Sequence, residues 1–337
     1  MVLGAVGADA GRHFSRGARG GACATMGAMN ALALRGVTKS FGGHVAVDDL
    51  SLDVPRGAVY GFIGPNGSGK STTIRMIMNI LLPDRGEIEV LGERGTRAAR
   101  DRVGYLPEER GLYKKMPVRR VLDYFGRLKG RTRAEVTAES EAWLERLGLA
   151  AWADKKVEAL SKGMAQKVQF IAAVAAKPEL LILDEPFSGL DPVNMEALKD
   201  AILELRRRGV TILFSTHDMA VAERMCDRIF MIFRGRKVLD GTLAEIQARY
   251  GEDVIRVATD GGADVVRAAA PAGAVVNDYG RVQEIRGAGD PQALLRALAE
   301  RTAVRRFEIA HPSLHDVFVR IAGADAVMPA APRGDAA

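Results

Sequence analysis

Cysteine is nearly absent from the 337 residues. Cys23 and Cys226 are the two present, too few for a disulfide framework or a cysteine-bound metal cluster, and a reducing setting is expected. No apolar run approaches the ~20 residues that span a bilayer, so membrane association is expected to run through a partner. No continuous apolar stretch near residue 1 has the form of a secretory signal. Neither sign of charge dominates: a net charge of +6 over this length reads as a solvated basic surface, and no nucleic-acid partner is expected. What the chain does have is 47% apolar residues, enough for a sizeable core, over a length that suggests two or three units.

The stretch at 57–72, GAVYGFIGPNGSGKST, organises the rest. Within it, Gly64, Pro65, Asn66, Gly67, Ser68, Gly69, Lys70 and Ser71 complete a Gly-x4-Gly-Lys-Ser phosphate-binding loop, followed by Thr72. Residues 58–63 read as a buried strand and 72–82 as a helix. Strand, glycine loop and helix are the order this chemistry needs. The glycines allow a tight turn that points several N–H groups at one phosphate, and the helix N-terminus adds partial positive charge. Lys70 is expected to reach the β- and γ-phosphates and the Ser71 hydroxyl to bind Mg²⁺.

Residues 1–30 are Gly- and Ala-rich without apolar periodicity and are expected to be disordered. Residues 31–37 and 44–54 alternate as antiparallel strands around Phe41-Gly42-Gly43. On that turn Phe41 is either a stacking surface for an adenine or an ordinary hairpin aromatic. A strand at 103–106 ends in the polar loop at Glu108, and residues 118–149 read as a helical insertion broken at Gly130 and Thr132. Ser161, Lys162 and Gly163 precede a helix expected over 165–176 and make a second anion-binding helix end. Residues 180–185, LLILDE, read as a fully buried parallel strand that Pro186 stops, and 210–215 as another that leads to His217. Asp184 and Glu185 then sit at the carboxyl end of a parallel strand, where ligands bind. Asp184 suits a metal contact, Glu185 a general base, and His217 a hydrogen bond to a γ-phosphate or an attacking water.

In this order, over 31–245, the motifs resemble those of the ATP-binding subunits of ATP-binding-cassette (ABC) transporters. The loop at 64–71 is similar to the Walker A motif, and Glu108 stands at the Q-loop position. Residues 160–164 fall at the signature motif, 180–185 at Walker B, Ser188 to Asp191 at the D-loop, and His217 at the switch histidine. The resemblance implies an α/β P-loop NTPase core of the ABC type, a mixed sheet with an antiparallel β subdomain and a helical insertion at about 112–178. It implies that Phe41 stacks on adenine, that Ser71, Glu108 and Asp184 surround Mg²⁺, and that Glu185 and His217 serve hydrolysis. It implies a head-to-tail homodimer in which Ser161, Lys162, Gly163 and Asp191 of one copy meet the ATP of the other. A transmembrane permease partner follows, with the ATPase cytoplasmic, on the inner face of the cell membrane. Two departures, Glu108 for the usual Gln and Lys162-Gly163-Met164 for the usual Gly-Gly-Gln, look like the subgroup of sodium-efflux and drug-efflux exporters. The alternative is a soluble ABC-type ATPase of translation or DNA repair, but such relatives usually carry two cassettes or a long coiled-coil insertion.

Residues 250–322 read separately as β-α-β-β-α-β with a final helix at 312–321, a ferredoxin-like α+β unit that is either regulatory or dimer-supporting or a structural appendage. Residues 323–337 are expected to be a disordered tail, and loss of everything beyond Tyr250 is expected to leave nucleotide binding intact.

Overall fold

The computed structural model describes residues 30–94, 99–109, 111–250 and 254–327. The expected disorder of 1–30 and 323–337 lies outside those residues except at Asn30, which pairs with Pro55 and opens the first strand, and at 323–327, which continue the last helix. β1 (Asn30–Phe41) and β2 (His44–Pro55) form the expected hairpin. β3 (Val59–Ile63) leads into α1 (Lys70–Ile77), which starts inside the glycine loop and ends earlier than expected, where Asn79 turns the chain with φ +54°. β4 (Arg85–Val90) and β5 (Glu93–Arg94) join the hairpin in an antiparallel sheet of order β2-β1-β4-β5. After β6 (Val103–Leu106) come α2 (Val118–Leu128) and α3 (Arg133–Arg146). The break between these helices falls at Gly130 and Thr132, as the sequence suggests, because Thr132 and Glu135 form a reciprocal capping box.

α4 (Lys162–Val174) begins three residues before the expected start. The Ser161 hydroxyl accepts from the Met164 amide, which caps the helix and draws Lys162 and Gly163 into its first turn. β7 (Leu180–Asp184), α5 (Pro192–Arg207), β8 (Thr211–Thr216), α6 (Met219–Met225), β9 (Arg228–Phe233), β10 (Arg236–Gly241) and α7 (Leu243–Tyr250) complete the first unit. Its central sheet has the order β10-β9-β3-β8-β7-β6, parallel except for the β9–β10 hairpin. Every residue of β3, β7 and β8 is buried, as expected of strands covered on both faces. Leu181, Leu183, Ile212 and Phe214 pack toward α4 and α5. Tyr60, Phe62, Ile182 and Leu213 pack toward the antiparallel sheet and α1. That alternation leaves the strand ends, and not the strand faces, free for chemistry.

β11 (Val254–Thr259), α8 (Gly262–Ala269), β12 (Val275–Asp278), β13 (Gln283–Arg286), α9 (Pro291–Ala299) and β14 (Val304–Ala310) form the ferredoxin-like unit, an antiparallel sheet of order β12-β13-β11-β14. α10 (Leu314–Val327) runs past Gly323, where a disordered tail was expected to begin. It does not join that sheet. Leu314 and Val317, fully buried, pack with Ile63, Ala222, Ile229, Met231 and Ile246 of the first unit.

Candidate functional site

A cavity of about 390 Å³ opens where β3 and β7 end. Its floor is the glycine loop, with Asn66, Gly67, Gly69, Lys70, Ser71 and Thr72 at its surface. The loop passes close to neighbouring backbone. A Cβ on Gly64 would lie 2.2 Å from the Ile232 carbonyl oxygen, and one on Gly69, which adopts φ +109°, would lie 2.6 Å from that of Ala46. Glycine is required at both positions on steric grounds. The buried Lys70 ammonium donates to the Gly64 and Pro65 carbonyls at 2.6 and 3.1 Å. Burial pulls its pKa below the usual lysine value, while the carboxylates of Glu185, Asp184 and Glu108 oppose that shift. The buried Ser68 hydroxyl has no protein partner, so the loop holds an unused donor.

The carboxylates come from β7 and the loop after β6. Asp184 accepts from the Ser215 hydroxyl at 2.9 Å. Its pKa is raised, first by burial and then by Glu108 and Glu185 nearby, with the Ser215 bond and Lys70 working against the rise. Two successive side chains on a pleated strand face opposite ways. Glu185 escapes that rule because its φ is +47°, a left-handed conformation that costs of order 1–3 kcal/mol in a non-glycine residue. The kink brings its side chain to the cavity beside Asp184. Groups at and just beyond the end of β8 then hold it. Oε1 accepts from the His217 amide at 2.9 Å and lies 2.8 Å from His217 Nδ1, and Oε2 accepts from the Thr216 hydroxyl at 3.3 Å. His217 therefore meets the cavity through Glu185.

Phe41, with 47% of its surface exposed, forms the outer wall opposite the loop. His44 and Ala46 stand beside it, and sequence reasoning missed both. The signal was present for His44: a two-residue turn at Gly42-Gly43 makes Phe41 and His44 direct partners across the hairpin.

The remaining candidates do not join this cavity. Ser161 and Lys162 are exposed and line a separate depression with Leu112, Lys114 and Glu158. Asp191 caps α5, its carboxylate accepting from the Asn194 amide and side chain, bonds that hold it below the usual aspartate range. Gly163 is buried against the same Asn194, whose Nδ2 would lie 2.7 Å from an added Cβ. Gly163→Ala is therefore expected to push the Asn194 side chain aside and break its bond to the Asp191 carboxylate, while the Asn194 backbone amide still donates to the Asp191 cap of α5. That costs about 1 kcal/mol, on the scale of one side-chain hydrogen bond, and lowers the melting temperature by roughly 2–4 °C. An unchanged thermal melt would show that Asn194 moves aside freely.

Comparison with known proteins gives a consistent set of likenesses. Residues 47–188 match the family model described as "ABC transporter", and residues 241–322 match "ATP-binding protein DrrA1-3-like, C-terminal domain". The chain is 43% identical to the uncharacterized ABC transporter ATP-binding protein YhaQ of Bacillus subtilis, over 86% of this chain and 97% of that one. It is 38% identical to the Nod factor export ATP-binding protein I of Bradyrhizobium diazoefficiens, over 87% and 96% of the two chains. Among solved structures it resembles an ATP-binding subunit of an ABC transporter with a TM-score of 0.62 and 34% identity, over 65% of this chain and 93% of that one. It resembles cbiO1 of Clostridium perfringens, part of the ABC transporter complex cbiONQ, with a TM-score of 0.59 and 26% identity, over 65% and 91%. None of these relatives is named for translation or DNA repair.

Proposed function

The chain belongs to the ATP-binding subunits of ABC transporters, an ATPase family that works with a membrane permease, and from that premise we propose how its own residues bind and hydrolyse ATP to drive export. The observation that carries the reading is the meeting, in one cavity, of the glycine loop with Glu108, Asp184 and a kinked Glu185. ATP lies with its adenine on Phe41 and its phosphates on the loop. The loop amides, the Ser68 hydroxyl and Lys70 take the phosphate oxygens, and Lys70 trades its carbonyl partners for them. Glu185 orients the attacking water and accepts its proton, and His217 and Thr216 fix the carboxylate for that task.

Magnesium fits the donors present. Asp184 and Ser71 are hard oxygen ligands in one cavity, and burial first, then the nearby Glu108 and Glu185 carboxylates, disfavour the charged Asp184, which a cation stabilises. An ion held by one or two carboxylates together with nucleotide phosphates suits this donor set. When bound, it would neutralise charge on the β- and γ-phosphates.

Ser161 and Lys162 form a capped helix end that lines a depression separate from the phosphate cavity. An anion site without its own nucleotide suits the nucleotide of a second copy, so two chains associate head to tail, with Asp191 beside the junction. Among the described residues no helix is long and apolar enough to cross a membrane, and the transported compound passes through a separate permease. This ATPase then works on the cytoplasmic side, peripheral to the membrane. The 31–245 and 250–322 regions act as ATPase and accessory domains, with α10 of the second packed on the first. Co-purification from membranes with a polytopic protein, together with Mg²⁺-dependent ATP hydrolysis, tests the reading. Absence of ATP binding by the pure chain would overturn it.

Glu108 gives a further test. A charged oxygen here is a stronger ligand for a hard cation than a neutral amide oxygen. Glu108→Gln is therefore expected to shift the Mg²⁺ concentration that gives half-maximal hydrolysis, and Glu108→Ala to lose more activity. Wild-type Mg²⁺ dependence and turnover in both variants would remove Glu108 from the metal.

A further inference from the structure

Gln169 sits in the middle of α4, seven residues beyond Lys162, which is about 10 Å along a helix axis. It is buried, and its side-chain amide Nε2 donates to two carbonyls of the loop after β6, to Pro107 at 3.2 Å and to Glu109 at 3.0 Å. Those carbonyls flank Glu108, whose side chain lines the phosphate cavity. Because both loop neighbours are acceptors, the amide has one workable orientation. That orientation leaves Gln169 Oε1 buried without a partner, at a cost of about 1–3 kcal/mol.

The cost is informative. The Gln169 side chain borders an apolar cavity lined by Tyr105, Leu112, Phe125 and Ala172. A leucine or methionine would pack there with no orphaned oxygen. Glutamine supplies one thing that they do not, a two-pronged grip on the backbone either side of Glu108. From this geometry we infer that Gln169 is a positioning residue for Glu108. It ties the loop to α4, so that a displacement of α4 moves Glu108 relative to the phosphates. α4 also carries Ser161 and Lys162 at its start, so one rigid helix joins the surface offered to a second copy to the wall of its own cavity. Lys129, at the end of α2, grips the backbone on the other side of β6, donating to the Arg100 and Val103 carbonyls. β6 is therefore tied at both ends, by Lys129 at its start and by Gln169 at the loop that follows it.

The inference rests on the ATPase reading, and its test separates the two. Gln169→Met keeps volume and removes both donors. We expect a fall in kcat of about 10-fold, the scale of two lost neutral hydrogen bonds, with KM for ATP changed by less than about threefold. In a Glu108→Ala background the same substitution is expected to change kcat by less than about twofold, because no carboxylate remains to be placed. Hydrogen exchange of the loop amides in the full chain, without nucleotide, is expected to speed up in Gln169→Met. Gln169→Asn, one methylene shorter and unable to reach both carbonyls, is expected to fall between Met and wild type. Losses in kcat that multiply in the double variant would overturn the inference, because Gln169 would then act independently of Glu108. Loop exchange unchanged from wild type would overturn it too. An inactive wild-type chain would instead bring down the ATPase reading itself.

Discussion

Glu185→Gln is expected to bind ATP and to hydrolyse it at least ~100-fold more slowly than the wild type, the scale of a lost general base. The substitution should not disturb the fold, and the hydrogen bonds around Glu185 say why. The His217 amide is a fixed donor at 2.9 Å from Oε1, so a glutamine must turn its oxygen toward it. The new NH₂ then faces Thr216 Oγ1, which accepts as readily as it donates. Shape and bonding persist, while the basic oxygen that would take a proton from water is gone. The left-handed backbone at Glu185 points the same way, since a strained conformation maintained by surrounding contacts is concentrated at functional sites. Single-turnover hydrolysis beside equilibrium nucleotide binding separates the two effects. The variant is expected to accumulate as an ATP-bound dimer, visible by size-exclusion chromatography. Near-normal turnover would remove Glu185 from the role of base.

The parts of this molecule that the sequence makes legible are those with local causes. The glycine loop is legible because sterics leave few residue types at Gly64 and Gly69. The aliphatic run before Asp184 is legible because a strand covered on both faces cannot carry polar side chains. The strand order of the ferredoxin-like unit follows from its β-α-β-β-α-β succession, although it was the hairpin around Gly280 that made the succession readable. Contacts between segments far apart in sequence were not legible. Nothing local in Gln169 announces that it grips Pro107 and Glu109, some 60 residues earlier. Helix α10 has an ordinary amphipathic sequence, and only the fold reveals which surface its apolar side covers. α4 starts three residues earlier than its apolar pattern suggests for a local reason: Ser161 is its N-cap, and the capping bond decides where a helix begins.

Truncation after Tyr250 is expected to destabilise the whole ATPase, against the simpler expectation that it leaves nucleotide binding untouched. Every residue of the nucleotide cavity precedes that point, but the cover of its supporting core does not. Leu314 and Val317 of α10 are fully buried against Ile63, the residue immediately before Gly64, and against Ile229 and Met231 on β9. Phe318 packs edge-on against Phe233 with ring centroids 5.5 Å apart. Polar bonds hold the helix as well: the Leu314 amide donates to the Glu223 carboxylate, and the Arg320 guanidinium to the Tyr250 carbonyl at 2.8 Å. Loss of a single buried leucine side chain beyond its Cβ costs about 2–5 kcal/mol. Removing the helix exposes the opposing face entirely, so the loss approaches a whole domain's stability of about 5–15 kcal/mol. A second variant separates α10 from the ferredoxin-like unit. Gln247 donates to the Pro312 carbonyl at 3.2 Å, so the chain leaving α7 and the chain entering α10 lie side by side. Replacing residues 254–309 by a short Gly/Ser linker therefore keeps α10 within reach of its groove. That variant is expected to bind ATP and melt within a few degrees of the full chain, while truncation after Tyr250 yields a protein that aggregates or melts far lower. Equal melting temperatures for the full and truncated chains would show that α10 only rests on the core, and that the first unit needs nothing beyond Tyr250 to fold.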